Sequence, residues 1–294
     1  MATTLTAAGE QQARLGCALA LTGGFLVIEV VGGLYTGSLA LLADAGHMVT
    51  DVGGLGLALM AIRFAMRPAT PERTYGYYRV EILAAAANAV ALFGICFYIL
   101  FEAWQRFRNP PEVASGAMLL IGAAGLIVNI AGMFVLRTGS AASLNLRGAY
   151  LELMSDTISS VGVIAAALIM RQTGWRYADP LVSAGIGLFI VPRTWRLLTD
   201  AVDVLLEGTP SDVNVTALRE AIAAVPGVIG VHDLHVWALT SGTNAMSAHA
   251  VRAGDVPAEQ VLAGVHQAVT CAFSVSHVTV QVESEGWEHG ETHL

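Results

Sequence analysis

Two acidic pairs interrupt otherwise apolar stretches of the chain: His47 with Asp51, and Glu152 with Asp156. Each pair is spaced i, i+4, so on a helix both side chains leave one face, a turn apart. An ionisable group in hydrocarbon costs about 2.5–3.5 kcal/mol by insertion scales. Three carboxylates and an imidazole at that depth therefore need a compensating partner. A divalent cation satisfies all four together. Groups that only glue helices to one another are ordinarily Ser, Thr, Asn or Gln, not carboxylates. The chemistry indicated is reversible ion binding, with protons competing for the same side chains. Glu152 and His47 are the candidates for that coupling. Asp44, three residues before His47, is placed either to orient the imidazole or to face water at a helix end. Glu29, Asn88 and Asn129 read as interhelical or cavity-lining groups.

The elements that must hold these residues are membrane helices. Of 294 residues, 55% are hydrophobic and only 13% charged, too apolar for an ordinary soluble domain. Six stretches, at about 15–35, 39–62, 79–105, 115–136, 147–170 and 179–199, are long enough to cross the ~30 Å of hydrocarbon as helices. An even number puts both termini on one side. Arg14, Arg63, Arg67, Arg73, Arg79, Arg137, Arg147, Arg193 and Arg196 fall on the side of the termini, against Arg106, Arg108, Arg171 and Arg176 on the other. The positive-inside rule makes the first side cytoplasmic. The expected location is the cell (inner) membrane, multi-pass. Three scattered cysteines without a CxxC indicate neither a disulfide framework nor a thiolate zinc site. No basic nucleic-acid face and no phosphate loop are present.

Beyond residue 206 the character changes. Two arginines stand there against ten acids, so the whole formal charge of −8 belongs to the last part of the chain, as do seven of the eight histidines. Residues 213–225 and 257–272 carry helical periodicity; 228–239, 243–252 and 275–283 read as strands. The order αββαβ predicts an α+β sheet with two helices on a ferredoxin-like plan. The expected division is a six-helix transmembrane domain over 1–206, a cytosolic domain over 207–286 and a disordered tail over 287–294.

The segments Leu41–Asp51, Leu146–Asp156, Val231–Trp237 and Ser247–His249 together resemble the cation diffusion facilitator family, in its cobalt-zinc-cadmium efflux branch. The resemblance covers nearly the whole chain. It implies a homodimeric metal/proton antiporter, not an enzyme, exporting a divalent cation by alternating access. His47, Asp51, Glu152 and Asp156 would be the transported-metal ligands, and His232, His249, His266 and Glu283 ligands of a regulatory metal. Zinc is the first expectation for both. Two departures matter. This branch usually has His where this chain has Glu152, which makes the site harder and admits manganese or iron as an alternative cargo. The loop near residues 137–146 also lacks a histidine-rich tract. His235, three residues after His232 on a strand, is expected on the opposite face. Gln281 stands where some relatives have a further histidine. Arg79 with Glu81 is read as part of an interlocking dimer contact. Two rivals are weighed: an intramembrane metallohydrolase, disfavoured because HExxH and a spare general base are missing, and a non-transporting metal sensor.

Overall fold

The structure, a computed structural model, describes residues 7–65, 67–137 and 144–286; the predicted tail at 287–294 lies outside them. Six long helices come first: α1 (Ala7–Thr36), α2 (Leu39–Ala65), α3 (Arg79–Arg108), α4 (Ser115–Leu136), α5 (Leu144–Thr173) and α6 (Ala178–Leu205). Among the described residues, five of these, all but α2, are long and apolar enough to cross a membrane. At 27 residues α2 is of similar length. The shorter elements follow: α7 (Val215–Ala223), β1 (Val228–Thr240), β2 (Thr243–Arg252), α8 (Ala258–Ala272) and β3 (Val275–Ser284). The chain forms two compact units, one from residues 1–56 and 87–196, the other from 57–86 and 197–294.

In the first unit α2 begins where it does for local reasons. Gly37 takes a positive φ of 69°, which breaks the chain between α1 and α2 with little steric cost. Ser38 then caps α2, its hydroxyl accepting from the Leu41 amide at 3.2 Å. Asp179, in the first turn of α6 and fully buried, completes the cap. It accepts from the Ser38 hydroxyl at 2.6 Å and from the amides of Leu39 and Ala40 at 2.9 and 3.2 Å. Arg106 of α3 supplies the countercharge, with Nη1 3.5 Å from Asp179 and 2.6 Å from the Gly37 carbonyl. One carboxylate thus ties the starts of α2 and α6 to the end of α3. It fixes the depth at which α2 presents His47.

The opposing ligand helix is seated by close packing. On α4, Gly122, Gly125 and Gly132 are buried. A Cβ added at Gly125 would stand 2.7 Å from the Phe25 ring, and one at Gly132 2.7 Å from Leu153. Small residues on this stripe let α1 and α5 approach α4, as membrane helices commonly do. Leu39, Leu41, Leu92, Ile99, Met118, Val163 and Ile186, from five different helices, share one buried core.

In the second unit β1 pairs antiparallel with β2, and β2 parallel with β3, giving the order β1-β2-β3. The helices α7 and α8 cover one face through Leu218, Ile222, Val261, Val265 and Val269, packed on Val236, Met246, Ala248 and Ala250. This is the predicted αββαβ plan. Residues 57–86 belong to the same unit. Arg79 pairs with Glu207 at 2.9 Å, and Glu81 accepts from the hydroxyls of Thr240 and Ser241. Arg79 and Glu81, read from sequence as a dimer contact, each have a partner within their own chain.

Candidate metal centres

α2 and α5 bring the two acidic pairs together. His47 Nε2 lies 3.0 Å from Glu152 Oε1 and 3.5 Å from Asp51 Oδ2. His47, Glu152 and Asp156 each offer a ligand atom within 4.8 Å of the others. Asp51 joins them through His47. Asp156 and His47 are buried, whereas the side chains of Asp51 and Glu152 are 32% and 21% exposed. The centre therefore opens toward the end where α2 finishes and α5 begins. A cavity of about 90 Å³ beside it is lined by His47, Ser155, Ser159, Phe189, Ile190 and Arg193.

Arg193 is the participant that sequence reasoning missed. From α6 it grips Glu152 with two guanidinium nitrogens, Nη1 donating to Oε1 at 2.7 Å and Nη2 to Oε2. Such a fork is the strong, oriented form of a carboxylate pair. With His47 neutral, three carboxylates and one guanidinium sum to −2, which matches a divalent cation. Asp44 also differs from expectation. It is buried, so it does not face water, and no hydrogen bond joins it to the imidazole. The Nδ1 of His47 has no hydrogen-bond partner among the described residues.

The second cluster lies on the sheet face that α7 and α8 leave uncovered. His232 stands opposite His249, and His249 opposite Gln281, so the three strands present these side chains in register. Glu283, two residues along β3, lies 3.0 Å from His232 Nε2 and 2.9 Å from His249 Nδ1. Gln281 Nε2 donates to Glu283 at 2.9 Å. Burial pushes the Glu283 pKa up, but the His232 hydrogen bond and the charges of His232 and His249 outweigh it and hold the carboxyl below its ordinary range. Two imidazoles and a carboxylate make a donor set that fits zinc with one position open.

His266 is not in this cluster. Helix α8 packs Val261, Val265 and Val269 on the sheet face opposite the cluster, and His266 is exposed on that helix. The expectation for His235 fails for another reason. Asp233 has a φ of 47° and the register slips between His232 and His235, so the bulge restores His235 to the face of His232.

Residues 16–206 match the family model of the cation efflux transmembrane domain, and residues 210–285 that of the cation efflux protein cytoplasmic domain. The chain belongs to the cation efflux family. This is a family of metal transporters, not enzymes. Among relatives, the metal cation efflux system protein CzcD of Cupriavidus metallidurans is 50% identical over 276 residues, 94% of this chain and 87% of that protein. A cadmium, cobalt and zinc/H(+)-K(+) antiporter of Bacillus subtilis is 40% identical over 90% of this chain and 87% of its own. The zinc transporter ZitB of Escherichia coli is 40% identical over 96% and 90%. A solved metal-bound C-terminal domain of the CzcD transporter is 40% identical and covers 24% of this chain and 99% of its own, with a TM-score of 0.24. The efflux protein is thus a multi-pass membrane protein of six helices followed by a small cytoplasmic α+β domain.

Proposed function

We propose that this efflux protein exports divalent metal from the cytoplasm, zinc foremost, in exchange for protons, and works as a homodimer. The observation that carries the reading is the meeting of His47, Asp51, Glu152 and Asp156 from two helices, with Arg193 bringing their charge to −2. A Zn2+ ion in that nest is neutralised and receives one nitrogen and up to three oxygen donors. Protons that neutralise the same groups release it. The exposed side at Asp51 and Glu152 is the arginine-rich side of the membrane domain, which supports loading from the cytoplasm, cytoplasmic termini and an inner-membrane location. We read residues 1–206 as the transport domain, 207–286 as the cytoplasmic dimerisation and metal-binding domain, and 287–294 as a tail. His232, His249 and Glu283 are read as a regulatory zinc site without His266. Zinc titration of the full chain should then find one equivalent fewer in His249→Ala; an unchanged count would remove the second site.

Selectivity tests the transport site. Glu152→His replaces a hard oxygen donor by imidazole. In proteoliposomes offered Zn2+, Mn2+, Fe2+, Co2+ and Cd2+, the variant should gain Cd2+ and Co2+ transport relative to Mn2+ and Fe2+, by about tenfold or ~1.4 kcal/mol of ligand preference. A selectivity series indifferent to this exchange would show that Glu152 is not a ligand.

A further inference from the structure

The second unit holds a cavity of about 710 Å³ that neither metal cluster lines. One wall is the sheet face that carries the histidines. His235 of β1 and Ser247 of β2 line it as a register pair, one pair along from His232 and His249. The other wall is the segment between α2 and α3, which supplies Arg73, Tyr75 and Tyr78, with Arg79 as the first residue of α3. Two contacts seat that segment on the sheet. Tyr75 meets His277 edge-on, ring centroids 5.8 Å apart, and Glu81 accepts from the hydroxyls of Thr240 and Ser241.

Charge sets the cavity apart from its surroundings. Beyond residue 206 ten acids stand against two arginines, yet the cavity is lined by two arginines and one acid. Glu207 neutralises Arg79 at 2.9 Å. Arg73 is exposed and has no carboxylate partner among the described residues. Its guanidinium lies 4.9 Å from the centroid of the Tyr77 ring, a contact that leaves its charge in place. One positive charge therefore remains, and the hydroxyl side chains Tyr75, Tyr78, Thr209 and Ser247 line the same space. An anion of one net charge complements it. The volume is that of a site for a drug-sized ligand, far more than a bare phosphate fills.

Depth narrows the anion further. α3 starts at Arg79 and runs for 30 residues, and Glu207 follows the 28-residue α6 by two residues. At about 1.5 Å per residue these helices are ~45 and ~42 Å long, the thickness of a bilayer with its headgroups. Arg79 and Glu207 thus stand at headgroup level. Tyr75, Tyr78 and Trp237, which also line the cavity, are side chains suited to that layer.

We propose that this cavity binds the phosphodiester headgroup of an anionic phospholipid, with Arg73 as the charge that selects it. The phosphodiester brings one negative charge to the one left on Arg73, and Arg79, held by Glu207, stands beside it as a further donor. The bound headgroup joins the α2–α3 segment to the histidine-bearing face of the sheet.

Native mass spectrometry of the full-length protein in detergent tests this. Wild type should retain one phosphatidylglycerol per chain that phosphatidylcholine does not displace, and Arg73→Gln should hold it about fivefold more weakly. Equal retention in Arg73→Gln would overturn the proposal. Inorganic phosphate or glycerol 3-phosphate displacing the lipid at equal concentration would overturn it too, by making the cavity a site for a soluble anion. A second measurement needs no variant: phosphatidylglycerol with a photoreactive headgroup should label wild-type protein at residues 73–79 and 234–239. Labelling that avoids both segments, as when a second copy of the chain covers this face, would also overturn the proposal.

Discussion

Replacing His47 by alanine is expected to abolish metal–proton exchange. The imidazole is the nitrogen donor at the membrane centre, and its Nε2 is the atom that both Asp51 and Glu152 approach, at 3.5 and 3.0 Å. Removing it costs the ion one ligand and leaves the acids without the neutral group between them. A four-ligand zinc site is worth roughly 10–16 kcal/mol, so one ligand's share is about 3 kcal/mol, more than a hundredfold in affinity. Equilibrium zinc binding in detergent, with His232 and His249 also replaced so that only the membrane centre is read, should show that loss. Zinc-driven proton flux in proteoliposomes should fall to background. Exchange that persisted in His47→Ala would mean that the ion passes elsewhere.

The second large effect is on stability. Asp179→Ala removes a fully buried carboxylate and strands three donors at once, the Ser38 hydroxyl and the amides of Leu39 and Ala40, while Arg106 keeps Glu102 at 3.0 Å. Leaving a buried donor without its acceptor costs about 1–3 kcal/mol for each group. The lost α2 cap adds about 1 kcal/mol. The thermal midpoint in detergent should drop markedly. Asp179→Asn should fall between, because its amide oxygen still accepts but carries no charge for Arg106. The start of α2 fixes where His47 sits, so zinc affinity should weaken along with stability. A wild-type midpoint in Asp179→Ala would show that Arg106 and the α2 amides find other partners.

The metal centre was legible in sequence because its signal is local. An i, i+4 acidic pair inside an apolar run survives any detail of tertiary packing. The six long helices and the αββαβ order were legible for the same reason, since hydrophobic period and length specify them. What escaped depends on which helices meet. Arg193 looked like one more cytoplasmic arginine, and only the approach of α6 to α5 turns it onto Glu152. His235 was misplaced by strict alternation, which one bulge at Asp233 defeats. His266 was carried over from a resemblance, and within the chain α8 lies on the sheet face opposite His232, His249 and Glu283. Residues 57–86 sit in one compact unit with the C-terminal part of the chain, a grouping that no local pattern reveals.

The most direct test is zinc X-ray absorption on the full-length chain with His232 and His249 replaced by alanine. The expected spectrum is one zinc per chain, bound by a single imidazole and otherwise by carboxylate oxygens at about 2.0–2.2 Å, and absent once Asp156 is also changed to alanine. Two or more imidazoles, a sulfur donor, or a zinc that stays after the loss of Asp156 would contradict the centre built here from α2 and α5.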